Sequence, residues 1–179
     1  VEAFEKRGVV YAGGNLQRAM SEVQQAARRI RAGEFGDLIG ATVHRWGGEI
    51  SGGGCQHVAV LTSLTNAKVD EVIAWGTPAL NLERDTDEGL FINGSFRLSN
   101  GIVCPVFGMA TPRRGVDVWS EDALISWDWA PPVIYRAFDS SGARLRIDPD
   151  YEPYKWSEFG YLASSIRSFL AAVETGGEP

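Results

Sequence analysis

The sequence predicts an α+β domain built on a large, mostly antiparallel, open mixed sheet with helices packed on one face. Two amphipathic helical segments come early, at residues 21–32 and from about Val58 to Thr65. Segments with the period-2 alternation of strands fill much of the chain between residues 69 and 147. A last amphipathic helix begins at Ser157. Helices, then a run of strands, then a closing helix is the order typical of an α+β domain.

The first helix has recognisable start and stop residues. Ser21 is suited to cap it, Glu22 favours the positive end of its dipole, and Gly33 is suited to end it. Its apolar residues recur at the spacing of one helical face, namely Val23, Ala26, Ala27 and Ile30. The apolar segment 38–46 that follows predicts a strand.

The later segments predict strands and hairpins. In Leu90–Leu98 the apolar alternation continues through Asn93-Gly94, which predicts one strand and no turn at that pair. At Asn100-Gly101 the alternation stops and restarts, which predicts a hairpin. A second hairpin is predicted from the segments Val133–Phe138 and Ala143–Ile147. A strand at Val69–Trp75 precedes them all.

Composition narrows the class of partner. The chain has 179 residues, 44% of them hydrophobic, and a formal net charge of −6, which fits one globular domain. No basic patch rises above this acidic background, so nucleic acid is not expected as a partner. No apolar run approaches the roughly 18 residues of a membrane span. Membrane association is therefore not expected either.

Cysteine use and the first residues favour a cytoplasmic protein. Cys55 and Cys104 allow at most one disulfide, which fits a reducing compartment. The stretch from Val1 to Gly8 lacks the apolar core of a signal peptide. That stretch predicts the end of a helix closed by Gly8, and the apolar residues 9–12 after it predict a short strand.

The stretch GGGCQH, residues 52–57, is the most informative local pattern. No Lys-Ser or Lys-Thr pair follows it, so it is not a P-loop. It also lacks the G-x-G-x-x-G spacing of a dinucleotide fingerprint. It leads instead into a helix that has His57 at its start. A helix N-terminus favours the neutral imidazole, which can donate or accept a proton near neutral pH.

The residue types leave other sites open but do not favour them. His44 lies mid-strand beside Trp46, where a structural role is expected. His44, Cys55 and His57 are possible metal ligands by type, but their spacing matches no zinc pattern, so no metal is predicted. Carboxylates at 83–88 predict a solvated loop. Trp119, Trp127 and Trp129 are suited equally to a sugar-binding surface and to a subunit interface.

Several stretches in this order resemble the Gfo/Idh/MocA oxidoreductases. They are residues 9–18, the turn at residues 32–39, GGGCQH with the helix and strand to Val72, residues 87–101, and residues 169–179. The turn containing Gly33-Glu34-Phe35-Gly36 is similar to that family's "SGxxG" turn. GGGCQH is similar to its glycine-rich, histidine-bearing helix start.

The resemblance implies a domain organisation. That family joins a Rossmann domain, which binds NAD or NADP, to a C-terminal domain of the glyceraldehyde-3-phosphate-dehydrogenase type. By the resemblance, residues 1–14 are the end of an upstream Rossmann domain. Residues 15–179 are then the substrate and oligomerisation domain, ending before its final helix. The nucleotide site and the family's Glu-Lys-Pro motif are expected upstream, so this chain by itself is expected to bind no nucleotide tightly.

The resemblance also implies site residues. His57 matches the family's catalytic histidine, and Gln56 stands beside it. Asn15, Gln17 and Arg18 lie on the loop that borders nicotinamide and substrate in the family. The family often has aspartates close before and after this histidine, whereas Gly53, Gly54 and Val60 occupy those positions here.

The expected function is therefore the substrate-binding domain of an NAD(P)-dependent oxidoreductase acting on a sugar, cyclitol or related polyol. A homo-oligomer formed through the open sheet face is expected with it. Two alternatives stay open. One is a different chemistry on the same scaffold, such as an NAD-dependent glycosidase or a biliverdin reductase-like activity. The other is a non-catalytic binding or assembly module, which the missing acids near His57 favour.

Overall fold

The computed structural model describes residues 6–9, 17–46, 54–78, 90–108, 113–136, 145–147 and 160–176. In these residues it has three helices: α1 (Ser21–Arg31), α2 (Cys55–Thr65) and α3 (Gly160–Thr175). It also has eight strands: β1 (Leu38–His44), β2 (Val69–Pro78), β3 (Leu90–Leu98), β4 (Val103–Phe107), β5 (Gly115–Ser120), β6 (Ala123–Trp127), β7 (Val133–Arg136) and β8 (Leu145–Ile147).

The described strands form one mixed sheet in the order β2-β3-β4-β1-β5-β6-β7-β8. The pair β1–β4 is parallel, and every other neighbouring pair is antiparallel. The central strand β1 thus joins a hairpin-rich half, β2 to β4, to a meander, β5 to β8. The predicted fold class, α+β with a mostly antiparallel open sheet, is confirmed.

Helices α1 and α2 pack against each other, and α2 packs on β1 and β5. The buried residues of β1 and β5 on this side are Ala41, Val43, Val116 and Val118. We call this side the helix face of the sheet. The alternating residues, among them Thr42 and Asp117, point to the opposite side, which we call the second face.

The apolar face and the end of α1 agree with the sequence pattern, but its N-cap does not. Val23, Ala26, Ala27 and Ile30 are buried as one face of α1, and Gly33 takes φ +74 just after the helix. Ser21 was predicted to be the N-cap, and this is wrong. Met20 is the N-cap, Ser21 is the first helical residue, and its hydroxyl donates to the Glu22 carboxylate at 3.0 Å. In an N-cap, the side-chain oxygen accepts a hydrogen bond from a backbone N–H group of the first turn. The Ser21 hydroxyl bonds to the neighbouring carboxylate instead.

The glycine positions in the hairpins confirm two predictions. Strand β3 runs unbroken from Leu90 to Leu98, and Gly94 lies inside it, paired with Ala74. A Cβ on Gly94 would come within 2.0 Å of the Ile73 carbonyl oxygen, so close strand approach explains the glycine. Gly101 takes φ +87 in the turn between β3 and β4. This is the Asn-Gly hairpin that the sequence predicts.

Other predictions are confirmed in part. The hairpin of β7 and β8 is present, although the residues between these strands lie outside the described part. Helix α3 begins at Gly160, and its predicted apolar stripe is exposed at Ile166, Leu170 and Val173. The predicted strand at 9–12 apart from Val9, the loop at 83–88 and most of the helix before Gly8 also lie outside the described residues. Among the described residues, neither Cys55 nor Cys104 forms a disulfide.

Candidate functional site

His57 lies in the first turn of α2 and is buried, with 4% of its surface exposed. Three tryptophans surround its ring. Trp46 stacks on it with ring centroids 5.8 Å apart, while Trp127 and Trp129 meet it edge-on at 5.7 and 5.5 Å. Such aromatic pairs stabilise one another beyond the area they bury. The imidazole is thus held in a mostly apolar enclosure, which we call the tryptophan enclosure.

The three rings of the enclosure come from two places in the fold. Trp46 follows β1 and hydrogen-bonds through its backbone N–H to the Phe107 carbonyl at 2.9 Å. Trp127 is the last residue of β6 and is fully buried on the helix face. Trp129 lies two residues further on, in the β6–β7 connection, with φ +51. The ends of β1 and β6 therefore bring the three rings to the start of α2.

The start of α2 is shaped for the Trp46 ring. A Cβ built on Gly54 would come within 2.7 Å of Trp46 Cζ2 and 2.9 Å of its Nε1. Only glycine at this position allows the indole to lie so close to the backbone. The last glycine of GGGCQH thus has a packing role.

Several buried polar atoms of the enclosure and of Gln17 lack a partner among the described residues. Trp46 Nε1 and Trp127 Nε1 are buried and have no acceptor among the described residues. The Gln17 backbone N–H donates to Gln56 Oε1 at 3.3 Å, and Gln17 Oε1 is buried without a described donor. Buried donors and acceptors cost about 1–3 kcal/mol each when unpaired. The two indole N–H groups can donate hydrogen bonds to hydroxyls, and the amide oxygen can accept hydrogen bonds from them.

The structure brings together some of the predicted site residues. Gln17, Gln56 and His57 lie at the same end of the paired helices α1 and α2. Arg18 lines a surface cleft of about 340 Å³ between these helices. The other residues that line this cleft are Gln24, Arg31, Thr62, Ser63, Asn66, Ala67 and Lys68. Asn15 lies outside the described residues.

Sequence reasoning missed Trp46 as a wall of the site. Trp46 lies two residues after the end of β1, and no local sequence pattern marks it as a neighbour of His57. The aromatic trio named from the sequence is divided by the structure: Trp127 and Trp129 contact His57, whereas Trp119 lies on the second face beside Gly40. Val60, which stands where the resemblance leads one to expect an aspartate, is fully buried in the core.

The second histidine belongs to a different kind of site. His44 Nε2 lies 3.1 Å from Asp117 Oδ2 on the second face, and its ring stacks on Phe107 at 6.1 Å. The Arg113 guanidinium also donates to Asp117 and to the Ser126 hydroxyl. Burial raises the pKa of Asp117, but the hydrogen bonds from these three side chains and the charge of Arg113 outweigh it, so its pKa is lowered.

The described residues do not fit a dinucleotide. Gly54, directly before α2, is packed against the Trp46 indole, and His57 in the first turn is buried. A phosphate-binding helix start needs its N–H groups open to the ligand. Nor does a described strand, turn and helix carry the fingerprint spacing. No nucleotide-binding residue is therefore assigned in this part of the chain.

The fold places the chain among proteins that share the C-terminal domain fold of solved oxidoreductases. Aldose-aldose oxidoreductase from Caulobacter crescentus, solved with glycerol, superposes with a TM-score of 0.75 at 17% identity, over 99% of this chain and 58% of that one. Levoglucosan dehydrogenase, solved with NADH and levoglucosan, gives 0.68 at 16% identity, over 97% and 60%.

The structural neighbours are Gfo/Idh/MocA-type oxidoreductases, so the resemblance predicted from the sequence is confirmed in the fold. They include the super-repressor mutant of Gal80p from Saccharomyces cerevisiae, with a TM-score of 0.72 at 14% identity, over 99% of this chain and 56% of that one. The chain spans less than two thirds of each of these three proteins. Neither a protein-family model nor a curated protein sequence matches it.

Among the described residues, no helix has both the length and the apolar character needed to cross a membrane.

Proposed function

We propose that this chain is the substrate-binding and oligomerisation domain of an NAD(P)-dependent oxidoreductase acting on a sugar, cyclitol or related polyol. The observation that carries the proposal is the tryptophan enclosure of His57 at the start of α2. Indole faces pack on the C–H faces of sugars, and the neighbouring amides and indole N–H groups bind hydroxyls. The neighbours solved with glycerol and with levoglucosan support the substrate class.

In this proposal His57 hydrogen-bonds to the reacting hydroxyl and exchanges a proton with it. The surrounding rings exclude water, which strengthens that hydrogen bond because the local dielectric is low. Gln17 and Gln56 bind the adjacent hydroxyls, and Asn15 and Arg18 complete the site from the preceding loop. These side chains orient the ligand so that one carbon faces the nucleotide.

The nucleotide belongs to another part of the intact protein. We propose that residues 1–14 end an upstream Rossmann domain and that residues 15–179 form the C-terminal domain. NAD or NADP bound to the Rossmann domain would exchange a hydride with the substrate carbon. The chain described here binds and positions the substrate and by itself transfers no hydride.

A histidine pair provides the test in the intact protein. His57→Asn should lower kcat by roughly 10²–10⁴-fold with little change in KM, since general acid–base catalysis is lost. His44→Asn is the matched control, because His44 lies on the second face beside Asp117. An unchanged kcat in His57→Asn, measured with polyols that the wild type turns over, would remove His57 from the chemistry.

Oligomerisation is proposed through the second face of the sheet. Ile73, Trp75, Val103 and Phe107 all point to this face from β2 and β4 and are 46–67% exposed. An exposed apolar surface of this kind marks an interaction site, and a second copy of the chain is the occupant.

Light scattering across a hundredfold range of protein concentration tests this interface. Trp75→Glu should shift the protein towards monomer, because a carboxylate would be buried at the contact. Leu170→Glu is the control, because it places the same charge at a leucine of α3 that is 52% exposed. A wild type that is monomeric throughout, or a Trp75→Glu variant with the wild-type mass, contradicts the interface.

A non-catalytic binding module is the second candidate, favoured by the structural similarity to the Gal80p super-repressor mutant. Nucleotide and product measurements on the intact protein separate the two functions. Nucleotide binding with sugar turnover supports the enzyme. Sugar or protein binding without turnover supports the module.

A further inference from the structure

Trp129 is the outermost of the three rings around His57. Trp46 and Trp127 are core residues, 6% and 0% exposed, whereas Trp129 is only partly buried and packs against the core from outside. Its ring lies 5.2 Å from Trp127 and 5.5 Å from His57, measured between centroids. With Trp129 in this position His57 is 4% exposed. Of the three rings, Trp129 is therefore the least embedded in the core, and its displacement would expose the imidazole with the least disturbance.

The backbone of Trp129 is held in an unfavourable conformation. Its φ of +51 lies in the left-handed region, which bulky residues rarely adopt. Such residues persist only where their surroundings fix them, and they cluster at sites that change conformation or bind ligands. Here the strain is tied to the position of the ring over His57.

The connection is fixed on both sides of Trp129. Before it, the Asp128 carboxylate accepts from Arg114 Nε at 3.1 Å. Gly115 allows the backbone of residues 127–128 to come close, since a Cβ there would lie 2.0 Å from the Trp127 carbonyl oxygen. After it, Pro131 and Pro132 restrict the chain. Conformational freedom is thus concentrated at Trp129 and Ala130.

We propose that Trp129 is a movable cover of His57, closed in the free protein and turned aside when a hydroxylated ligand binds. Closing buries indole surface against Trp127 and His57, and opening releases the left-handed backbone. The buried indole surface favours the closed state and the relieved backbone strain favours the open state, so the two states are close in free energy. A ligand that contacts only the open state therefore shifts the population towards it. Trp46 and Trp127 stay in place because they belong to the core.

The opened site takes a ligand with alternating C–H and hydroxyl groups. Turning Trp129 aside exposes the imidazole together with the Trp46 and Trp127 rings, whose Nε1 donors have no acceptor among the described residues. Ring faces and N–H donors side by side match the chemistry of a polyol. This ligand assignment rests on the proposed function, whereas the cover itself rests only on the geometry.

Chemical modification of the two histidines tests the cover. Diethyl pyrocarbonate acylates accessible imidazoles, and peptide mass spectrometry separates His57 from His44, the other histidine of the chain. A closed state with an open population of roughly 0.1–10% predicts that Trp129→Gly raises the His57 rate at least about tenfold. The His44 rate should stay the same and serves as the internal reference.

Trp119→Ala is the matched control, since Trp119 is a partly buried tryptophan on the second face. It should leave the His57 rate unchanged. Equal His57 rates in Trp129→Gly and wild type would overturn the cover. A rise of both histidine rates together would show loosening of the whole fold and would overturn it as well.

A measurement on the wild-type chain keeps the test independent of how the variants fold. With 5-fluorotryptophan incorporated, the six tryptophans give separate ¹⁹F resonances, and Trp129 is assigned from the signal lost in Trp129→Phe. Adding glycerol, D-glucose or myo-inositol should shift the Trp129 resonance and leave that of Trp119 in place. Exchange broadening confined to Trp129 without ligand also supports the cover. A sharp Trp129 resonance that no polyol shifts contradicts the polyol assignment, and together with an unchanged His57 acylation rate in Trp129→Gly it overturns the cover.

Different results would contradict the Trp129 cover and the polyol assignment. If Trp129→Gly exposes His57 but no polyol protects it from acylation, the cover stands and the polyol assignment is wrong. If polyols protect His57 equally in wild type and Trp129→Gly while the basal rates are identical, the site binds polyols and the cover is wrong.

Discussion

The two histidines of this chain lie on opposite faces of the same sheet, and their surroundings differ in kind. His44, on the second face, is 3.1 Å from the Asp117 carboxylate in a network with Arg113 and Ser126. His57, on the helix side, is enclosed by three indoles. A histidine tied to a carboxylate and an arginine already belongs to a structural network. An apolar enclosure with hydroxyl-binding groups at its edge suits an imidazole that meets a ligand.

Two tryptophans differ in their surroundings in the same way as the two histidines. Trp127 is fully buried against His57, while Trp119 points to the second face and is partly exposed. The surroundings of His57 therefore depend on buried aromatic packing, and those of His44 include an ion pair and hydrogen bonds. Substitutions at these residues test that difference, beginning with the largest expected effect.

Removing the buried indole should have the largest effect. Trp127→Ala is expected to lower the free energy of unfolding by about 3–5 kcal/mol, because it leaves a cavity in the core. Trp119→Ala should cost much less, because part of that ring already lies in solvent. Urea denaturation of both variants measures the difference. Equal losses would mean that the two faces are packed alike.

Neutralising the second-face carboxylate should cost about 2 kcal/mol, the range for hydrogen bonds to a charged group. Asp117→Asn keeps the shape but loses the charge that Arg113 and His44 meet. Because the folded-state pKa of Asp117 is lowered, its contribution is fully present above its unfolded pKa. That contribution is lost as the pH falls through the folded pKa.

The same variant supplies the pH test. Between neutral pH and the acid limb, wild-type stability should fall more steeply than that of Asp117→Asn, and the two curves should converge at low pH. Urea midpoints taken from pH 7 downward give the comparison. Parallel curves would show that Asp117 has the same pKa in the folded and unfolded states.

Two glycines beside tryptophans give a paired test of packing. Gly54→Ala should cost about 1–2 kcal/mol by overpacking, since its Cβ would lie 2.7 Å from Trp46. Gly40→Ala places a Cβ 3.5 Å from Trp119, an ordinary contact, and should be neutral or slightly stabilising. Thermal melts of the two variants measure the change in stability. A neutral Gly54→Ala would show that Trp46 is free to shift.

The smallest expected effect is the difference between two substitutions at Trp129. Both lose the ring, but alanine keeps a Cβ at φ +51 and glycine does not. Trp129→Gly should therefore be more stable than Trp129→Ala by about 1 kcal/mol. Urea denaturation measures it. The opposite order would show that the left-handed backbone of residue 129 does not persist without the indole.

The sequence predicted a large part of the fold. Local period and turn chemistry are enough to place α1, the unbroken strand through Gly94 and the hairpin at Gly101, because each depends on residues close together in the chain. The N-cap of α1 was misplaced at Ser21 because a competing partner, Glu22, engages its hydroxyl. Such competition depends on side-chain rotamers, which the sequence pattern does not give.

The candidate site was predicted less completely. His57 and Gln56 were named from the helix start and a family resemblance, and their place beside Gln17 is a property of the α1–α2 pairing. Trp46 was not named, because nothing local marks a residue after a strand as the neighbour of a histidine eleven positions later. Whether His57 acts on a substrate is a prediction for the experiments above.

By itself, the sequence determined the element types, the α+β class and a histidine at a glycine-rich helix start, since these follow from short-range periodicity and backbone preference. The tertiary structure decided that Trp46, Trp127 and Trp129 converge on His57, and that His44 meets Asp117 instead. Those contacts depend on strand register, and a slip of one residue would send each side chain to the opposite face. Register is fixed by packing between distant segments, so the tryptophan enclosure and the cover over His57 exist only in the folded chain.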